Sequence, residues 1–254
     1  MPQAIQDVPI PHENAGSQNA GPQKTGPQND GPHVMRKAGT VVVDEEGRPL
    51  VVYRGEHGDH EGPGFQTQLG SISFGSRETA MLYATSPNDN RMGPARNPRI
   101  HACYLDMRRP VMADEDDPFI EMETLIRAVG AEKAMIIALE QAEWIENTSN
   151  WEEMDRKGAE SVASFLAFQP ERLRELYLQA FPVFDSPLYC SWFAEAGYDG
   201  AIHGGMGVNS HEAEYRIFDA RQAIPAGPVQ KLEPAPPGKV PVHECGIDIN
   251  CRPW

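Results

Sequence analysis

The chain has 254 residues, of which 40% are hydrophobic, and it carries 23 prolines, 23 glycines and a formal net charge of −15. This length holds one good-sized domain or two small ones. The negative charge disfavours nucleic acid and anionic membranes as general partners, although it permits a basic pocket for one small anion.

The sequence predicts neither a membrane-spanning helix nor a secretory signal peptide. No apolar run approaches the roughly 20 residues that a membrane helix needs. The N-terminal stretch MPQAIQDVPIPHENAG lacks a basic region followed by an apolar one, so it does not predict a secretory signal peptide.

Both ends of the chain are low in large apolar side chains. Residues 1–38 are rich in Gln, Asn, Pro and Gly, and GPQ, GPQ and GPH recur within them, which predicts a disordered leader. Residues 227–254 are proline-rich and lack periodicity, which predicts a tail. The folded domain is therefore expected at about 39–226.

The first part of that domain reads as strands and one helix. TVVVDEEGRPLVVYRGE predicts a hairpin with strands at Val41–Val43 and Pro49–Tyr53 and a turn at Glu46-Gly47. A Gly/Pro loop follows at 58–64. SISF predicts a short strand, SRETAMLYAT a helix capped by Ser76, and RIHACYLDM a further strand.

A helical block follows at about 118–182, where apolar residues recur every three or four positions. The closing elements are a helix at PLYCSWFAEAG, a strand and turn at YDGAIHGG, a loop at 204–211 and a strand at EAEYRIFD. Strands at both ends with helices between them predict an α+β fold in which the first and last strands meet.

The last strand begins with two carboxylates on one face. Side chains alternate along a strand, so Glu212 and Glu214 point the same way with their stems about 6.6 Å apart. Both can stay ionised and share one substrate at that distance. The alternative is a solvated sheet edge.

Three further positions suit an anionic ligand. Arg54 ends an apolar run, where its guanidinium fork suits phosphate, and Gly55 beside it permits close approach to the backbone. The alternative for Arg54 is a surface ion pair with Glu45, Glu46 or Glu56. Ser73 lies opposite the apolar Ile72 and Phe74, although an ordinary polar face explains it equally well.

The remaining candidates are weaker. Tyr83, at helical spacing from Ala80, suits either a ligand contact or the core. His203 and His211 are expected to be loop histidines without an assigned role. The cysteines follow no zinc-ligand spacing, so mostly reduced thiols are expected, and a Cys245–Cys251 bridge is left open; the four are Cys103, Cys190, Cys245 and Cys251.

Three of these segments together resemble the ADP-ribosyltransferase superfamily, in its arginine-type branch. VVYRG resembles the first-strand motif with its Arg, GSISFGSRETAMLYA the Ser-containing strand and following helix, and EAEYRIFDARQAI the closing strand with E-x-E. The likeness covers most of 49–224 apart from the helical middle. The usual Ser-Thr-Ser run is not intact, so Ser71 competes with Ser73 for the middle position, and Ser73 is favoured.

The resemblance implies a split β-sandwich core with a helical insertion, and NAD as co-substrate without a metal. It implies that Arg54, Gly55, Ser73 and Tyr83 bind NAD, with Glu214 as the catalytic glutamate and Glu212 as the outer one. It makes 204–211 the target-recognition loop.

The expected activity is mono-ADP-ribosylation of an unidentified protein, with arginine as the expected acceptor. NAD hydrolysis, transfer to another acceptor, and a degenerate non-enzymatic binding module stay open as alternatives. The leader suits an effector or toxin, or a phage-associated protein, delivered into a target cell.

Overall fold

The structure is a computed structural model that describes residues 39–58, 65, 69–85, 96–205 and 212–233. The predicted leader, most of the predicted loops at 58–64 and 204–211, and residues 234–254 lie outside the described residues. The predictions made for those segments stay predictions.

The elements follow one another in the order strand, helix, strands, helical block, strands. The strands are β1 (Val52–Glu56), β2 (Ile72–Phe74), β3 (Arg99–Leu105), β4 (Pro110–Ala113), β5 (Phe119–Glu121), β6 (Tyr177–Gln179), β7 (Gly200–Gly204), β8 (Ala213–Ile217), β9 (Ala223–Pro225) and β10 (Gln230–Lys231). The α-helices are α1 (Arg77–Thr85), α2 (Met122–Val129), α3 (Ala131–Glu140), α4 (Ala142–Glu146), α5 (Ser149–Glu153), α6 (Val162–Phe168), α7 (Ala180–Asp185) and α8 (Pro187–Glu195). Short 3₁₀ helices lie at Pro170–Glu175 and Ala220–Gln222.

The first sheet is antiparallel and has β3 at its centre. Along one edge of β3, β1 pairs so that Arg54 lies opposite His101 and Glu56 opposite Arg99. Along the other edge lie β9 and β10. Since β10 belongs to the segment predicted as a tail, the folded chain continues past the boundary expected at 226.

The predicted turn before β1 is present, but the predicted strands Val41–Val43 and Pro49–Tyr53 form only an isolated bridge, and β1 begins at Val52 and continues past Arg54. Val43 forms a bridge with Pro49, and the turn between them contains Gly47 at a φ of +72°, where glycine is favoured. The Asp44 side chain accepts a hydrogen bond from the backbone N–H of Arg48 at 2.8 Å and so fixes the turn.

The second sheet has the order β2–β8–β7–β4, with β4 parallel to β7 and the other pairs antiparallel. The pairing of β2 with β8 brings early and late strands together, as expected. Buried side chains from both sheets share one core: Val42, Val52, Ile72, Phe74, Cys103, Leu105, Met107, Ile202, Tyr215 and Ile217. Because Tyr215 and Ile217 point into this core, Glu214 and Arg216 point to the opposite face of β8.

The helical block has its own core between helices α2 to α8, which includes Leu125, Ile137, Phe165, Phe184 and Phe193. The prediction of helices throughout 118–182 is wrong at both ends of the block, where β5 and β6 form an antiparallel pair. Each strand is only three residues long and is held by a partner more than 50 positions away, so local periodicity cannot reveal it. The α+β class is confirmed.

The junction of α7 and α8 ties this block to the second sheet. The backbone N–H of Gly70, just before β2, donates to the carbonyl of Asp185 at 2.9 Å. A Cβ at Gly70 would lie 2.3 Å from the carbonyl oxygen of Ser186, so only glycine allows this approach. None of the described helices is long and apolar enough to cross a bilayer.

Candidate active site

The two glutamates lie on the face of β8 that is turned away from the core between the sheets. Glu214 is buried, with a relative exposure of 6%. Glu212, just before β8, is half-buried, and its Oε2 accepts a hydrogen bond from the Thr79 hydroxyl on α1 at 2.6 Å. Since both carboxylates have partners and Glu214 is buried, the solvated-edge alternative for this pair is wrong.

Ser73 is the serine that contacts Glu214. Strand β2 pairs with β8, and the Ser73 hydroxyl donates a hydrogen bond to Glu214 Oε1. Ser71 is buried and donates instead to the backbone carbonyl of Phe184 at 2.7 Å. The geometry therefore separates the two serines, with Ser73 beside the carboxylate and Ser71 anchoring α7.

Arg54 reaches the same strand from the first sheet. Its Nη1 donates to the carbonyl oxygen of Ser73 at 3.1 Å, and its Nε pairs with Glu56 Oε1 at 3.1 Å. The Arg54 side chain is only 16% exposed, so the Glu56 pair is not the surface ion pair considered as an alternative. Arg54, Ser73 and Glu214 thus form a continuous series of contacts.

Glu56 is a carboxylate in contact with three basic side chains. Its Oε2 lies 3.1 Å from both Arg99 Nη2 and His101 Nε2. Burial alone would raise the pKa of the Glu56 carboxyl, but the His101 contact and Arg54 outweigh it and lower the pKa to about 2. With two arginines and one histidine about one carboxylate, this cluster retains positive charge.

Arg216 is a buried cation that the sequence analysis missed. Its Nε lies 2.7 Å from Glu214 Oε1, and its Nη1 lies 2.5 Å from Asp185 Oδ1 on α7. The Nε–H is not aimed at the Glu214 oxygen, so that contact is an ion pair rather than a hydrogen bond. The signal was the alternation itself, because Glu212, Glu214 and Arg216 occupy every second position.

The electrostatics keep Glu214 ionised. Burial favours the neutral acid, but the nearby Arg216 guanidinium and the Ser73 hydrogen bond outweigh it, and the pKa of Glu214 falls below its usual value. A preorganised, mostly desolvated carboxylate of this kind can stabilise positive charge that develops on a bound substrate.

His203 lies in β7 directly opposite Glu214, fully buried, so the expectation of a loop histidine is wrong. Its Nδ1 donates to the carbonyl oxygen of Gly204 at 2.7 Å, and its ring stacks on Phe184. Burial lowers the pKa of His203, with Glu214 opposing, so the imidazole is neutral at neutral pH. Its Nε2 is buried without a hydrogen-bond partner among the described residues. His211 lies outside them.

Gly55 has a different role from the one predicted. A Cβ there would lie 1.8 Å from the carbonyl oxygen of Ala80, so the close approach that Gly55 permits is that of helix α1. Gly55 therefore makes room for helix α1 rather than for a ligand.

Tyr83 lies on α1 with 45% of its surface exposed, so the core alternative is wrong. Its described ring contact is with His57, at a centroid distance of 5.9 Å. The structure therefore does not join Tyr83 to the contacts between Arg54, Ser73 and Glu214.

The described cysteines are not reactive groups. Cys103 and Cys190 are buried free thiols, and burial raises the pKa of each to about 12. Cys245 and Cys251 lie outside the described residues. Within the described part of the chain, no three His, Cys, Asp or Glu side chains are grouped so that they could hold a metal ion.

No protein-family model, curated protein or solved structure matches this chain. The case for a function therefore rests on the residues and their geometry.

Proposed function

We propose that this protein is a mono-ADP-ribosyltransferase with an ADP-ribosyltransferase-like split β-sandwich core, moving ADP-ribose from NAD to a protein side chain, with arginine as the acceptor. The observation that carries the proposal is the set of contacts from Arg54 through Ser73 to Glu214. These residues come from three separate segments, and they are the three that the resemblance marks as functional.

The chemistry in this proposal begins with cleavage of the bond between the nicotinamide nitrogen and the ribose anomeric carbon. The bonding electrons leave with nicotinamide, which departs neutral and needs no general acid. Positive charge develops on the ribose, as in glycoside hydrolysis, and the ionised Glu214 stabilises it. The buried position of Glu214 strengthens this attraction, because water screens it little.

In the second half of the reaction the acceptor nitrogen forms a bond to the same ribose carbon and loses one proton. Glu212 is suited to orient a cationic guanidinium and to take that proton, since it faces the same way as Glu214 and is held by Thr79. NAD itself would be bound in part by Arg54, whose planar guanidinium suits the diphosphate. The positive charge gathered about Glu56 supports an anionic ligand there.

The test is incubation of the full chain with labelled NAD and a cell lysate, with measurement of nicotinamide release and of label on protein. Mass spectrometry then identifies the modified side chain. Glu214→Gln is expected to abolish both readouts, and Glu212→Gln to abolish labelling while nicotinamide release to water continues. Glu45→Gln, at an exposed position, is the matched control and should behave as wild type.

The possible outcomes separate the alternatives. Nicotinamide release without labelled protein would favour NAD hydrolysis. Label on another side chain would change the acceptor, and no NAD cleavage or binding by the folded wild-type chain would overturn the proposal in favour of a non-enzymatic module.

A further inference from the structure

The guanidinium of Arg216 lies between two carboxylates that come from different parts of the fold. It contacts Glu214 on its own strand and Asp185 at the end of α7, and its Nη1 also donates to the Ser71 hydroxyl at 3.3 Å. The residue is 5% exposed. The helical block thereby reaches the catalytic strand through one buried charge.

Stability alone is a poor explanation for this arrangement. Removing a charge from water costs several kcal/mol per ion, and well-packed apolar residues often replace buried ion pairs without loss of stability. Arg216 also contacts the same oxygen of Glu214 as Ser73 does. The carboxylate is therefore held from two sides, by β2 and by its own strand.

We propose that Arg216 is a positioning residue for Glu214, which it holds ionised and in a fixed orientation, and that Asp185 holds Arg216 in place. The inference deepens the proposed function and rests on it for the role of Glu214 in catalysis. The part that concerns the charge and geometry of Glu214 stands on the contacts alone.

The other groups that face this pair act on Glu214 without a permanent positive charge. Ser73 on β2 donates a hydrogen bond but carries no charge, and His203 on β7 lowers the pKa of Glu214 only while it is protonated, a state that burial disfavours. Glu212 is acidic and supplies no positive charge to Glu214. Next to Arg216 on α8, the Cys190 thiol is neutral, since burial raises its pKa to about 12. Among the residues that the structure describes, Arg216 is therefore the fixed cation in contact with Glu214.

The direct test is a titration of the glutamate carboxyl carbons by NMR in the full chain, with Glu214 identified by the signal that Glu214→Gln removes. In Arg216→Gln the pKa of Glu214 should rise by about one to three units, the effect of losing a close opposite charge. In Arg216→Lys, which keeps the charge, it should stay near the wild-type value. An unchanged pKa in Arg216→Gln would overturn the inference.

Kinetics test the positioning role. For nicotinamide release, Arg216→Lys should lower kcat by about 10- to 100-fold with little change in KM for NAD, because a single ammonium cannot hold both carboxylates. Arg216→Gln should in addition move the acidic limb of the pH profile upward. Equal and pH-independent losses in both variants, in step with lost stability, would show a structural role and overturn the inference.

Two measures keep the test decisive. If Arg216→Gln does not fold, the double variant Asp185→Asn with Arg216→Gln takes its place. It removes both charges of that pair and leaves two amides that can form a hydrogen bond with each other. The same upward shift of the Glu214 pKa is expected. If wild type releases no nicotinamide, the proposed function fails, yet the titration still decides whether Arg216 controls the ionisation of Glu214.

Discussion

Ser73 and Glu214 are 141 residues apart in the chain, yet the hydroxyl of one donates a hydrogen bond to the carboxylate of the other. The contact exists because β2 pairs with β8 in the register that places Ser73 opposite Arg216, with Glu214 two residues earlier on the same strand. This contact joins the second and third of the site residues Arg54, Ser73 and Glu214.

Replacement of Ser73 by Ala should reduce nicotinamide release. A hydrogen bond to a charged group is worth about 1.5–3 kcal/mol, so kcat/KM should fall by about 10- to 100-fold. Ser73→Thr keeps the hydroxyl and should retain most of the activity. Ser191→Ala, at an exposed position on α8, is the control. Wild-type rates in Ser73→Ala would remove Ser73 from the site.

Replacement of Thr79 by Val should separate the two activities. It removes the donor to Glu212 without changing side-chain shape, so labelling of protein should fall about tenfold while nicotinamide release without an acceptor persists. Thr85→Val removes a hydroxyl on the same helix that bonds only to the backbone of Met81 among the described residues and should have no effect on either. Equal loss of both activities in Thr79→Val would contradict the division of roles between Glu212 and Glu214.

Replacement of Arg54 by Lys should weaken NAD binding by about 1–3 kcal/mol. Lysine keeps the charge but cannot bond to the Ser73 carbonyl and Glu56 while presenting a flat fork to the diphosphate. Calorimetry measures the affinity. Arg48→Lys, at an exposed ion pair with Asp44, should bind NAD as wild type does. Unchanged affinity in Arg54→Lys would make Arg54 a purely structural residue.

Replacement of Gly55 by Ala should destabilise the fold rather than remove a ligand contact. The added carbon would meet the backbone of α1, and overpacking of this kind typically costs about 1–3 kcal/mol or more. Thermal unfolding should show a lower Tm. Gly227→Ala is the matched control, because a Cβ there meets nothing within 4 Å. An equal Tm for both variants would contradict the described packing of α1 on β1.

Replacement of Glu56 by Gln should destabilise the protein in a pH-dependent way. The folded-state pKa is depressed from the usual 4.5 to about 2, so the ionised carboxyl contributes stability that is present above pH 4.5 and lost as the pH falls towards 2. The shift sets an upper limit of about 3 kcal/mol, and solvent screening of the partly exposed carboxyl makes the contribution to stability smaller. Urea unfolding of wild type and Glu56→Gln at a series of pH values should show a difference that is present at pH 5 and shrinks as the pH falls towards 2. A difference independent of pH would contradict this.

Several features of the site followed from local pattern. Alternation along EAEYRIFD put Glu212 and Glu214 on one face, because the period of a strand is fixed by its backbone. The N-cap at Ser76 was equally predictable from local sequence, since its hydroxyl accepts a hydrogen bond from the backbone N–H of Thr79, only three positions away. The strand that carries Ser73 and the α+β class likewise followed from runs of neighbouring residues, whereas Arg54, expected just past the end of a strand at Pro49–Tyr53, lies within β1.

The sequence by itself thus determined which residues share a face of a strand and the type of most of the longer strands and helices, because those properties depend on neighbours within a few positions. The short strands β5, β6 and β10 escaped it. Only the tertiary structure decided that Ser73 rather than Ser71 contacts Glu214. The same is true of the close packing of α1 on Gly55 and of the contacts of Arg216 with Glu214 and Asp185. Each of these depends on strand register or helix packing between residues far apart in the chain. Such contacts are selected by the packing of the whole core, and no local period encodes them.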